Sequence, residues 1–66
     1  MVNNTLEFIK DKFAENIYNI NSIDAEITIG YIIYEEDCEQ WCLYLYRDEW
    51  LTVPELKEVL EFMESL

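Results

Sequence analysis

Apolar residues spaced three and four positions apart mark the first part of the chain. Residues 4–20 contain such a series, which would lie on one face of an α-helix: Leu6, Ile9, Phe13, Ile17 and Ile20. Asn4 and Glu7 resemble a capping pair at its beginning, and the Asn- and Ser-rich residues 19–22 favour its end. The pattern predicts an amphipathic helix over residues 4–20.

A second helix is predicted near the end of the sequence. Thr52 and Glu55 have the spacing of a capping box, and Pro54 is tolerated in a first helical turn. The residues that follow place an apolar stripe at helical spacing: Leu56, Val59, Leu60 and Met63. The sequence therefore predicts an amphipathic helix that begins at Thr52.

Two runs rich in Ile, Tyr, Leu and Trp lie between the predicted helices, at residues 26–34 and 40–46. Such runs are typical of β-strands, and the acidic residues 35–39 suit the loop of a hairpin. Because successive side chains of a strand face opposite sides, one apolar face is predicted from three opposed pairs: Ile33 with Trp41, Tyr31 with Leu43, and Ile29 with Leu45.

These elements predict an α+β fold with the order α-β-β-α, in which two amphipathic helices cover one face of a β-hairpin. At 66 residues, the chain is expected to form a single small domain with one core. The other face of the hairpin and at least one strand edge are expected to stay open to a partner. The predicted core consists of Ile9, Phe13, Ile17, Ile29, Tyr31, Ile33, Leu43, Leu45, Leu56, Val59, Leu60 and Met63.

Charge adds a functional expectation to this fold. The 66 residues include 15 acidic and 4 basic side chains and no histidine, which gives a formal net charge of −11. A small domain needs a net charge of only about 2 to 8 for solubility, and the excess repels itself in the compact state. With 52% hydrophobic residues, the chain falls outside the class of disordered acidic proteins. A basic partner surface is the expected counterpart of this charge.

An acidic ridge follows the second predicted helix at three-residue steps: Glu55, Glu58, Glu61 and Glu64. Neighbouring carboxylates on such a ridge lie about 5–6 Å apart, similar to phosphates along a nucleic-acid strand, and those after Glu55 are predicted to point outward. Acids of the hairpin loop add to this charge: Glu35, Glu36 and Asp37. Two interpretations stay open: mimicry of nucleic acid toward a basic groove, and an ordinary solvated helix face.

Aromatic side chains form the other candidate interface. Tyr and Trp are favoured at interface hot spots because they bury a large area and keep a polar group. The predicted register puts Tyr31 and Trp41 in the core and leaves the uncovered face with Thr28, Ile32, Tyr34, Cys42, Tyr44 and Tyr46. Tyr34, Tyr44 and Tyr46 are therefore the predicted partner-binding tyrosines.

In its general character the chain resembles the small, highly acidic inhibitors that bacteriophages make against host enzymes. It is similar to anti-restriction, anti-CRISPR and uracil-glycosylase inhibitor proteins in its short length, its acidic bias and its tyrosine- and glutamate-rich surface. The resemblance covers the whole chain and rests on no motif, so no functional residue is carried over from it. It implies an anti-defence protein that mimics DNA.

No catalytic, cofactor-binding or metal-binding residue is predicted. Cys38 and Cys42 would need two more ligands to hold zinc, and residues 35–39 lack the alternating Asp/Asn pattern of a calcium loop. The sequence contains neither histidine nor a Gly-rich phosphate loop for catalysis. We therefore predict a protein that is not an enzyme and uses no cofactor.

The predicted function is that of a non-enzymatic inhibitor that occludes the basic, nucleic-acid-binding surface of a host protein. The acidic surface argues against direct binding to nucleic acid or anionic membranes. The first residues lack the pattern of a signal peptide, so we expect the protein in the cytoplasm, that of the host if a phage encodes it. The alternative is a small structural or oligomerisation module whose acidity serves only solubility. Open strand edges also predict a homodimer when no target is present.

Overall fold

The computed structural model describes residues 5–66 and contains an antiparallel sheet with a helix on one of its faces. The strands are β1 Leu6–Lys10, β2 Ile17–Ser22, β3 Ile27–Glu35 and β4 Gln40–Leu45, and the helix is α1 Val53–Glu64. Each strand pairs with the next along the chain, which gives the sheet order β1-β2-β3-β4. β1 and β4 are therefore the two edge strands.

The helix predicted over residues 4–20 is wrong, and with it the α-β-β-α fold, because this region forms β1 and β2. Its isoleucines are β-branched, which favours strands. The carboxylate of Asp11 accepts hydrogen bonds from the amides of Phe13 and Ala14, each at 3.0 Å, and this local turn competes with a helix. Asn4 of the predicted capping pair lies outside the described residues.

The capping box at the beginning of α1 is confirmed. The hydroxyl of Thr52 accepts a hydrogen bond from the Glu55 amide at 3.3 Å, and the Glu55 carboxylate accepts one from the Thr52 amide at 3.0 Å. These bonds satisfy N–H groups that would otherwise lack a partner at the beginning of a helix. The predicted second helix thus forms where its capping residues place it.

The predicted hairpin is confirmed as β3 and β4, but its register is wrong by one residue. Tyr31 pairs with Tyr44, and Ile33 pairs with Cys42. A shift of one residue moves side chains to the opposite face of a sheet. Ile32 therefore lies on the face covered by α1, and Tyr31 lies on the other face.

The register differs at the hairpin tip, because Glu35 pairs with Gln40 and the loop is one residue shorter than the predicted loop of residues 35–39. A β-bulge in β3 also changes the position of Ile29. Gly30 pairs with Ile20 of β2, whereas the next pair is Thr28 with Asn21, so Ile29 is an extra residue without a direct partner in β2. A bulge interrupts the alternation of side chains along its strand. Ile29 is therefore buried in the core, although Tyr31 and Ile33, two and four residues later, lie on the other face.

The core lies between α1 and the sheet face that it covers, which we call the inner face. It is formed by Leu6, Ile20, Ile29, Ile32 and Val59, each at most 4% exposed. Partly buried side chains surround this core: Phe8, Tyr18, Trp41, Leu43, Leu51, Phe62 and Met63. The first two strands thus supply apolar surface that the sequence assigned to a helix.

The predicted core is only partly correct. Ile29 and Val59 are buried, and Leu43 and Met63 pack against them. Leu45 is half-buried on the inner face. Half-buried residues on the opposite face, which we call the outer face, are Ile17, Tyr31 and Ile33. The exposed residues wrongly placed in the core are Ile9, Phe13, Leu56 and Leu60.

Candidate protein-interaction surfaces

The predicted acidic ridge of α1 divides into two pairs of residues. Glu58 is half-buried: one carboxylate oxygen accepts hydrogen bonds from the Thr5 amide at 3.1 Å and the Leu6 amide at 3.3 Å, and the other accepts one from the Thr5 hydroxyl at 3.0 Å. The prediction that Glu58 points outward is therefore wrong. Its carboxylate links α1 to the beginning of β1 through these hydrogen bonds.

Glu55 has a similar role in the first turn of α1. One of its carboxylate oxygens belongs to the capping box with Thr52, and the other accepts a hydrogen bond from the Thr5 hydroxyl at 3.4 Å. Glu61 and Glu64, by contrast, are exposed. The ridge therefore presents this second pair to solvent, while the first pair holds the fold together.

Two loops bring further acidic residues to one end of the sheet. β1 and β3 run in the same direction, so the β1–β2 loop (residues 11–16) and the β3–β4 hairpin tip (residues 36–39) lie at the same end. Asn16 joins them: its side-chain amide donates to the Tyr34 carbonyl at 3.2 Å, and its own carbonyl accepts from the Tyr34 amide at 2.9 Å. We call this the acidic end; its exposed carboxylates include Glu15, Glu36, Asp37 and Glu39.

The predicted hairpin acids differ in their accessibility. Glu35 is the last residue of β3, where it pairs with Gln40 and is half-buried. Glu36 and Asp37 are exposed at the hairpin tip. Of the predicted hairpin acids, the two at the tip are therefore open to solvent and Glu35 is not fully so.

The last turn of α1 adds Glu64 to the acidic end. Glu58 contacts the beginning of β1, and Phe62, one turn later, stacks on Phe8 further along β1 with ring centroids 4.3 Å apart. α1 therefore runs in the same direction as β1, toward the acidic end. The carbonyl end of the helix dipole places additional partial negative charge there.

An exposed phenylalanine lies in the β1–β2 loop: Phe13 is 96% exposed. The carboxylate of Asp11 holds this loop, since it accepts hydrogen bonds at 3.0 Å from the Asn19 side chain and from the amides of Phe13 and Ala14. These bonds, with that from Asn19 the strongest influence, hold the pKa of Asp11 below its ordinary value of 3.8. The turn-forming Asp and Asn residues around Phe13 are the sequence feature that indicates a loop.

Three tyrosines cluster on the outer face. Tyr31 and Tyr44 stack with ring centroids 5.0 Å apart, and Tyr46 lies 6.1 Å from Tyr31 and 6.5 Å from Tyr44. Tyr44 and Tyr46 are 55% and 40% exposed. Tyr34, predicted on this face, lies instead on the inner face with its ring 5.3 Å from that of Trp41. The register of the hairpin explains the exchange, because Tyr31 pairs with Tyr44 on the outer face and Tyr34 pairs with Trp41 on the inner face.

Two leucines of α1 form an apolar surface that the sequence does not predict. Leu56 and Leu60 are 43% and 48% exposed. They lie one turn apart on the flank of α1 opposite Glu58, as the helical repeat requires. Because Glu58 faces β1, this flank is directed toward the β4 side of the sheet. Sequence periodicity cannot separate such a flank from the buried stripe, since both have helical spacing.

The two cysteines are free thiols. Desolvation of Cys42 on the sheet surface, together with the neighbouring Cys38 thiol and Glu35 carboxylate, raises the pKa of the Cys42 thiol. A raised pKa lowers the thiolate fraction and therefore the reactivity at neutral pH. Within residues 5–66, no group of three or more His, Cys, Asp or Glu side chains is placed to hold a metal ion.

Comparison with known proteins assigns no function to these surfaces. In the part of the chain that the structure describes, no helix has both the length and the apolar character needed to cross a membrane. The chain matches no family model, no curated protein and no solved structure.

Proposed function

We propose that the chain is a non-enzymatic inhibitor that acts in the cytoplasm by occupying the basic, nucleic-acid-binding surface of a protein. The observation that carries this proposal is an acidic residue at a turn position of the acidic end that favours other residue types. Glu39, in the hairpin tip, has a left-handed backbone conformation, with φ of 53°. Gly and Asn adopt this conformation more easily than glutamate does.

Glutamate at such a position has an energetic cost. A left-handed conformation costs most residues about 1 to 2 kcal/mol, and glycine in place of Glu39 would relieve it. The added charge also increases repulsion in a chain whose formal net charge is already −11. A partner that needs the charge explains why glutamate stands at this position despite both costs.

The acidic end is the surface we assign to this partner. Glu36, Asp37, Glu39 and Glu64 attract a basic surface over long range and accelerate encounter. The tyrosines of the outer face then supply contact area of the kind found at interface hot spots. We assign no partner contact to Glu55, Glu58 or Tyr34, because their side chains are used within the fold.

The mechanism is competitive occlusion. A bound inhibitor of this charge covers the groove where the phosphates of the nucleic acid would lie, so inhibitor and nucleic acid exclude each other. The resemblance to phage-encoded inhibitors supports an anti-defence role in a host cell. Binding through charge weakens as ionic strength rises.

The test begins with capture of a partner from a host-cell lysate at low salt. Binding of the purified partner to a labelled DNA or RNA duplex is then measured with and without the chain. We expect the chain and the duplex to displace each other. A ternary complex with undiminished duplex binding, or capture of the chain alone, would contradict the proposal.

Two variants of equal net charge locate the binding surface. E36Q/D37N/E39Q removes three negative charges at the acidic end, and D24N/E26Q/D48N removes three at the opposite end, so both have a formal net charge of −11 + 3 = −8. We expect the first to slow association with the partner by about tenfold and the second by far less, because nearby charges steer encounter. Equal effects would mean that net charge alone acts.

Self-association is the second candidate function, since two observations favour it. Leu56 and Leu60 are exposed on α1, and the edge strands β1 and β4 each have one side without a neighbouring strand among the described residues. Sedimentation velocity at low and high salt tests this candidate. A homodimer that persists at high salt, combined with no effect on duplex binding, would favour a structural module.

A further inference from the structure

The outer edge of β4 has free backbone hydrogen-bonding groups. The Tyr46 amide, just after β4, donates to the Ile29 carbonyl of β3 at 2.9 Å. Successive residues of a strand direct their amides to opposite edges, so those of Trp41, Leu43 and Leu45 are directed away from β3. Within the described part of the chain no strand pairs with this edge.

The side chains beside this edge differ between the two faces of the sheet. On the inner face, Leu43 and Leu45 of β4 are half-buried. The exposed Leu56 and Leu60 of α1 are directed toward this side of the sheet. On the outer face, Tyr44 and Tyr46 are 55% and 40% exposed. A strand added to β4 would therefore place alternate side chains beside leucines and beside tyrosine rings.

The charge around β4 indicates which side chains an added strand should carry. The hairpin that precedes β4 carries four carboxylates and no basic residue: Glu35, Glu36, Asp37 and Glu39. Tyrosine rings also attract Lys and Arg through cation–π interactions. Cationic side chains therefore suit the outer face of an added strand, and apolar side chains suit its inner face.

We propose that the β4 edge binds, by strand addition, an extended segment of a partner protein in which apolar residues alternate with Lys or Arg. This rests on the proposed function, because it gives the basic partner a defined element and a defined docking edge. Main-chain hydrogen bonds supply affinity in this mode of recognition, and alternate side chains supply specificity.

A second copy of the chain fits this edge less well. Residues 40–45 contain no Lys or Arg, so a second β4 would place no cation beside the tyrosines. It would also bring a second acidic hairpin and a second net charge of −11 to the complex, and like charges oppose association.

A synthetic peptide tests the edge directly. The probe is a short capped peptide that alternates valine with lysine, titrated into the whole chain with NMR and calorimetry as the readouts. Two N-methylated forms serve as a matched pair. One carries methyl groups on the amides that would donate to β4, and the other carries the same number of methyl groups on the opposite edge.

The expected result is protection from hydrogen exchange at the Trp41, Leu43 and Leu45 amides, with no protection at β1. Methylation of the pairing edge should weaken binding by about tenfold or more, because several backbone hydrogen bonds are lost. The matched form should bind like the parent peptide. L60Q should weaken binding by about threefold through lost apolar contact, whereas I23Q, at a residue of similar exposure (47%) in the β2–β3 turn, should not.

Other outcomes overturn the inference. Equal binding of both methylated peptides, or shifts confined to the acidic end, would mean attraction by charge without strand addition. Protection of the β4 amides in a concentrated sample without peptide would make a second copy the occupant. A chain that inhibits its partner but does not bind the peptide would overturn this inference and leave the proposed function standing. If the chain binds the peptide but does not compete with the duplex for the partner, only the proposed function is contradicted.

Discussion

The two flanks of α1 meet the sheet in different ways. On the β1 side, the Glu58 carboxylate accepts hydrogen bonds from the Thr5 and Leu6 amides, and Phe62 stacks on Phe8. On the β4 side, Leu56 and Leu60 remain 43% and 48% exposed. The same helix therefore covers one side of the sheet with a charged residue and leaves apolar residues uncovered on the other.

This difference changes how the charge of the chain is interpreted. Edge strands in natural proteins are commonly protected by charged side chains or by a covering element. Glu55 and Glu58 provide such protection at the beginning of β1, so they are part of the fold and not of a ridge offered to a partner. The acidic end and the β4 side are where charge and apolar surface remain available for binding.

The largest effect we predict comes from Gly30→Ala, where β3 approaches β4. A Cβ at this position would overlap the backbone oxygen of Tyr44 and lie 3.0 Å from the Cα of Leu45. Backbone atoms cannot rotate away as a side chain does, so we expect a loss of about 2 kcal/mol in the free energy of unfolding. Urea denaturation measures it. A loss below about 0.5 kcal/mol would mean that β4 shifts easily, as a loosely held edge would.

A smaller effect separates the two kinds of glutamate in α1. Glu58→Ala leaves the Thr5 and Leu6 amides without their acceptor, and we expect it to lower the free energy of unfolding by about 1 to 2 kcal/mol. Glu61→Ala, the matched control, removes the same charge from an exposed position one turn away. It should change stability by no more than about 0.5 kcal/mol. Equal losses in thermal or urea unfolding would contradict the contrast between the flanks.

Local features of the fold could be predicted from the sequence. The Thr52–Glu55 capping box depends on residues three positions apart, and the hairpin depends on two strands joined by a short acidic loop. Interactions of this range are encoded by spacing alone. The capping box and the existence of the hairpin were predicted correctly for that reason, although the register of the hairpin was not.

Features that depend on distant contacts could not be predicted in this way. The spacing of Leu6, Ile9 and Phe13 fits a helix until the pairing of β1 with β2 is known. Gly30 indicates a bulge, since an isolated glycine within a strand often marks one, but it does not fix Ile29 as the extra residue. Glu58 acts on a residue 53 positions away, so helical periodicity assigns it to the solvent side. The candidate tyrosine site was altered by the one-residue difference in the register of the hairpin, which exchanges Tyr34 for Tyr31.

The smallest effect we predict compares two aspartates of the acidic end. Asp11 lies at the β1 side and accepts hydrogen bonds from the Asn19 side chain and from two amides, whereas Asp37 is exposed at the hairpin tip. These bonds lower the pKa of Asp11 in the folded chain. The ionised carboxylate therefore stabilises the fold at pH values above 3.8, the ordinary pKa of the group. That contribution is lost as the pH falls through the lower folded value.

Asp11→Asn should therefore reduce stability at neutral pH, and its difference from the parent chain should shrink as the pH falls below 3.8. Asp37→Asn removes the same charge without these bonds and should cause no loss of stability at neutral pH. Urea unfolding at several pH values distinguishes the two variants. A difference for Asp11→Asn that stays constant with pH would mean that the loop is held by hydrogen-bond geometry and not by the charge of the carboxylate. In that case the charge of Asp11 on the β1 side would contribute no more to stability than the charge of Asp37 at the hairpin tip.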